Sequence, residues 1–191
     1  MLRQLVIDSF KRPRPAARSV LAVDLAPVPL LQAAVAVTCI GLVLGYVAMW
    51  LSGGAIDPVS AAVLRMPLVG ALAQFAMMAL VAFLTFRIGR LFGGSGGLLG
   101  AAAVVIWLNA VTLGIQVLQI AALALVPPLA GLLALATLFW LLWAFANFVA
   151  ELHGFGSPVM VLGVAVLSGI VLIFGVTLIA AILGIAPPGM E

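Results

Sequence analysis

Four side chains able to hydrogen-bond, Asn109, Thr112, Gln116 and Gln119, interrupt an otherwise apolar stretch at residues 98–126. Spacings of three, four and three place them on one face of a helix. All are neutral, so their chemistry is hydrogen bonding: either they line a hydrophilic path or small polar pocket, or they fix one helix against its neighbours. Gln74 and Asn147, each within another apolar run, are the expected partners, and Asn109 and Gln116 are expected to face protein. No Asp, Glu, Lys or Arg falls within residues 30–51, 98–126, 129–149 or 159–185. These runs therefore offer no evident proton relay or ion site.

A second constellation is Gly93-Gly94-Ser95-Gly96, which matches the GxSG string of the rhomboid proteases, with His153 as a conceivable base. A serine and a histidine are the minimum for acyl chemistry. Both lie in expected loops, however, and a glycine-rich loop yields such strings by composition, so a plain turn is the simpler reading. Glu151 and His153 form the third. Two residues apart on a helix they do not share a face, which argues against a joint metal site. The chain has one histidine and one cysteine, Cys39 in the first apolar run. That leaves no internal disulfide, no cysteine metal cluster and no cofactor motif. Glu151 near a helix C-terminus opposes the helix dipole, so a salt bridge to Arg87, Arg90 or an N-terminal arginine is expected. His153 then ends a helix that Gly154 terminates, or docks a partner.

The elements that position these residues follow from composition. Of 191 residues 66% are hydrophobic and 7% charged, far from the globular balance of about 25% charged. Several runs reach the ~20 residues that cross about 30 Å of hydrocarbon. The fold class is an all-α membrane protein: five transmembrane helices in one bundle, at about 30–51, 67–86, 98–126, 129–149 and 159–185. An N-terminal amphipathic segment, residues 1–28, precedes the membrane domain, residues 29–191. Pro13 and Pro15 break any single helix there, and Pro15 suits the first turn of an interfacial helix ending near Asp24, with arginines reaching toward phosphate. Gly41 and Gly45 form a small-xxx-small pair in the first span.

Between spans, residues 52–66 form a loop with a short helix over residues 58–64 capped by Asp57. Gly93 to Gly97 is read as a flexible reversal, and Pro127-Pro128 as a very short hairpin. Five spans put the termini on opposite sides. With the N-terminus inside, Arg3, Lys11, Arg12, Arg14, Arg18, Arg87 and Arg90 are all cytoplasmic and contact headgroups, and only Arg65 is outside. This positive-inside pattern points to a membrane surface as the basic residues' partner, not nucleic acid.

The plan as a whole resembles the Yip family of Rab-interacting, five-span membrane proteins, in its bacterial branch. The resemblance is carried by the basic stretch SFKRPRPAARSVL (residues 9–21), by the closely spaced spans and by FANFVAELHGFGSPVMVLGVAVL (residues 145–167). Asp24-Leu25-Ala26-Pro27 stands where eukaryotic members have D-L-Y-G-P and lacks its tyrosine and glycine, so GTPase-binding residues are not carried over. The resemblance implies roles in membrane traffic or shaping and no catalytic residue. The expectation is a non-enzymatic inner-membrane scaffold or accessory subunit. Its partners are membrane lipids and other membrane subunits, with no soluble small-molecule substrate evident. The alternatives are a permease using the polar seam and, more remotely, an intramembrane serine hydrolase.

Overall fold

The computed structural model describes residues 2–23, 26–53 and 66–182. Among them the chain forms seven helices and no strand: α1 (Leu2–Lys11), α2 (Pro13–Leu21), α3 (Pro27–Leu51), α4 (Pro67–Leu91), α5 (Leu98–Leu125), α6 (Pro127–His153) and α7 (Pro158–Ile182). The helix expected over residues 58–64, its Asp57 cap, Asp24, Leu25, Arg65 and residues 187–191 lie outside the described residues.

Proline and glycine set the boundaries. Prolines open α2, α3, α4, α6 and α7, where a missing N–H costs nothing and φ is already helical. α4 runs past Arg87 and Arg90, because charge ends a hydrophobic span without ending a helix. It stops at Gly93, whose φ is +82°. Gly94 N–H then bonds the Gly89 carbonyl at 2.9 Å and Gly93 N–H that of Arg90 at 3.1 Å. α6 ends the same way at Gly154, φ +73°, with Phe155 N–H on Ala150 at 2.8 Å and Gly154 N–H on Glu151 at 3.3 Å. Both are Schellman caps, which satisfy carbonyls the helix end would otherwise orphan. Between α5 and α6 only Val126 is non-helical, so the two helices form a tight antiparallel hairpin.

α3, α4, α5 and α6 are each long and apolar enough to cross a membrane, which makes the chain a multi-pass membrane protein. The apolar stretch of α7 in the described residues, Pro158–Ile170, is shorter. α5 is the centre of the bundle: 44% of its apolar window is buried, against 17%, 22% and 11% for α3, α4 and α6. It packs on α3, α4 and α6, while α7 leans on α6 alone to any comparable extent. The burial lies in the first half of α5, where Ala101, Ala103, Val104 and Leu108 are nearly inaccessible. Small residues there allow close helix approach. Gly41 serves α3 likewise, since a Cβ on it would stand 3.0 Å from the Gln74 amide nitrogen and 3.4 Å from Leu113.

The N-terminal segment is two helices that meet at Arg12, next to the break that Pro13 and Pro15 suggest, and the apolar face of α2 is buried against protein. Ala16, Ala17 and Val20 join Ala103, Ala144 and Phe148 in one core cluster. α1 is tied in by Trp107, whose indole N–H donates to Ser9 Oγ at 3.0 Å, and by Phe10 stacked on Trp140 at 4.5 Å.

Candidate functional site

Three features gather the chain's polar chemistry and its open space. The first is the bundle end where α4 and α6 terminate. Arg18 on α2 pairs with Glu151 on α6, Nε to Oε1 at 2.6 Å, with a second, longer contact from Nη2 to Oε2 at 3.4 Å. The Glu151 carboxylate holds the Arg18 guanidinium above its ordinary pKa. Arg14 donates through Nη2 to the carbonyls of Phe155 at 3.0 Å and Gly156 at 2.8 Å, just past the end of α6. The basic side chains of Arg3, Lys11, Arg12, Arg87 and Arg90 are exposed, and none forms an ion pair among the described residues.

At the same end His153 is 3% exposed. Its Nδ1 accepts the Gly96 N–H at 3.2 Å and its Nε2 lies 3.2 Å from the Thr85 carbonyl. Only the neutral tautomer with hydrogen on Nε2 serves both partners. The ring is enclosed by glycines: a Cβ on Gly89 or Gly94 would overlap it, and one on Gly96 would come within 2.8 Å. The Ser95 N–H bonds the His153 carbonyl at 3.2 Å. Both ring nitrogens are thus engaged, neither by the Ser95 hydroxyl, and the structure assembles no Ser–His nucleophile pair. Gly94 and Gly96, which read from sequence as sources of flexibility, instead make room for an imidazole 57 residues downstream of Gly96. Single-residue spacing carries no signal of that.

The second feature is the polar face of α5. Asn109 Nδ2 bonds the Val105 carbonyl at 2.9 Å, Thr112 Oγ1 that of Leu108 at 2.8 Å, and Asn147 Nδ2 on α6 that of Trp143 at 2.8 Å. Each closes on its own helix four residues back. The bond that crosses between helices is Gln119 Nε2 to Thr137 Oγ1 at 2.9 Å, and Thr137 in turn donates to Leu133 O at 2.6 Å. Thr137 was not among the residues the sequence singled out. Asn109 and Gln116 are half-buried, and Gln74 lies over Gly41. The structure brings Gln74 and Asn109 to one cavity, without a hydrogen bond between them among the described residues, and leaves Asn147 on its own helix.

That cavity is the third feature, a groove of about 660 Å³ between α4 and α7. Met77, Val81 and Ile88 form one wall, Met160, Val164 and Gly169 the other. α5 and α6 supply its floor, through Asn109 and Phe145, and Phe92 and Phe155 close the end nearest His153. Among the described residues only Gln74, Thr85, Asn109 and Ser168 interrupt an apolar lining. Met77 at 57% and Met160 at 49% exposure show that the groove opens sideways. Among the described residues no three His, Cys, Asp or Glu side chains come together as a metal site.

A model of the Yip1 domain matches residues 7–179. No curated protein and no solved structure matches the chain.

Proposed function

The chain belongs to the Yip1 domain family, and from that premise we propose that this multi-pass membrane protein is a non-enzymatic scaffold, an accessory subunit of a larger inner-membrane complex or an organiser of the surrounding membrane. The observation that carries this reading is the closure of its interior polar groups. Asn109, Thr112 and Asn147 are spent on their own helix carbonyls, and the buried imidazole is held by backbone groups on either side. A conducting path needs polar groups free to exchange with water or solute, and in each of these three side chains a donor is already taken up by its own helix. The membrane is a bacterial inner membrane. The end carrying Arg14, Arg18, Arg87 and Arg90 faces the cytoplasm, by the positive-inside rule, and α7 completes a fifth crossing. Partners are lipids and other membrane subunits.

The test is gentle detergent extraction of the tagged full chain, followed by identification of what migrates with it. A stoichiometric membrane partner is the expected result. The reading fails if the protein purifies alone and Asn109→Leu or Gln116→Leu variants fold normally while blocking solute flux in liposomes.

A further inference from the structure

The groove between α4 and α7 is elongated along the helix axes. It runs along α4 from Gln74 to Phe92, 18 residues that at 1.5 Å each make about 27 Å.

Chemistry and position agree with shape. Among the described residues the lining is apolar apart from four neutral polar side chains, and the slot opens sideways at Met77 and Met160, on helices that lie against lipid. Three methionines, Met77, Met78 and Met160, border it, and their unbranched side chains adapt to a flexible ligand. The closed end, at Phe155, lies beside Arg14, which donates to the Phe155 carbonyl. A phospholipid chain that enters sideways with its head toward that end leaves its phosphate in the layer of basic side chains. We propose that this groove is a binding site for one acyl chain of a membrane phospholipid, held between α4 and α7. The site goes beyond the scaffold reading and does not depend on it.

Two glycines on α7 supply a matched test. Among the described residues a Cβ at Gly169 or Gly163 meets nothing within 4 Å, so both accept a larger side chain. Gly169 lines the groove and Gly163 does not. The full chain is reconstituted in phosphatidylethanolamine–phosphatidylglycerol vesicles doped with a phospholipid carrying a photoreactive diazirine in mid-chain. It is then irradiated, extracted and mapped by mass spectrometry. Labelling concentrates on Met160 and Val164 above outward-facing Leu72 and Leu132, and native mass spectrometry retains one phospholipid per chain. Gly169→Phe abolishes both signals and Gly163→Phe leaves both. Ala165→Leu, a smaller block in the same wall, serves if Gly169→Phe misfolds. Uniform labelling, retention of lipid by the Gly169→Phe protein, or no label at Met160 and Val164 overturns the proposal. Because lipid retention is read on the purified chain, absence of a co-purifying protein removes the scaffold reading and leaves this one standing.

Discussion

The imidazole of His153 and the glycines around it form a steric lock that a double-mutant cycle can open. Gly94→Ala places a methyl group inside the volume the ring occupies. The backbone there needs no positive φ, so the cost is overpacking alone, about 1–3 kcal/mol. His153→Ala empties the cage. It strips the Gly96 N–H of its acceptor, worth about 1–3 kcal/mol when the donor stays buried, and adds a cavity contribution, for a total of about 2–5 kcal/mol. In the double variant the new methyl enters the space the ring has left. The clash disappears, and the combined loss falls short of the sum of the single losses by about 1 kcal/mol or more, a coupling expected only of residues in contact. Unfolding of the reconstituted protein in mixed micelles with increasing SDS, followed by tryptophan fluorescence, gives the four free energies. Losses that add within about 0.5 kcal/mol would refute the cage, as would a Gly94→Ala protein as stable as the parent.

Three further outcomes follow from the same geometry. Ala17→Leu crowds a fully buried position between α2 and α6. It should cost about 1–3 kcal/mol and speed tryptic cleavage of the Lys11–Arg12 bond relative to the parent. Glu151→Arg should loosen the N-terminal helices and Arg18→Glu on top of it restore them, as read by the same digestion, with the rescue weakening at high salt. In the SDS titration Gln119→Leu should cost about 0.6 kcal/mol, the average for an interhelical bond in a membrane. Asn109→Leu, whose amide bonds its own helix, should cost less, and the opposite order would restore the polar seam as interhelical glue.

The sequence made the helices legible because the same residues that break helices also mark where they begin and end. Pro27, Pro67, Pro127 and Pro158 stand at helix starts and Gly93 and Gly154 at ends. The centrality of α5 was legible too, for another reason than the one it suggested. Its amides drew attention to residues 109–119, yet the tightly buried half is the small-residue run around Ala101, Val104 and Leu108. In an apolar surrounding an amide can satisfy itself on its own helix, so a polar stripe need not be a contact stripe. The cage around His153 and the docking of α2 were out of reach, because each joins segments distant in the chain. Ala16, Ala17 and Val20 are visible as an apolar face, but nothing local says whether lipid or protein covers it.

The span of chain between the N-terminal helices and their anchors has a consequence for biosynthesis. Arg18 meets Glu151 after 133 residues and Arg14 meets Gly156 after 142. At about 5–20 residues per second, α2 waits roughly 7–28 s after its own emergence before its partners exist. Through that interval the small apolar face of Ala16, Ala17 and Val20 lacks the Ala144 and Phe148 side chains that cover it in the finished chain. Its burial is therefore a late step, completed only once α6 and the turn after it have been made.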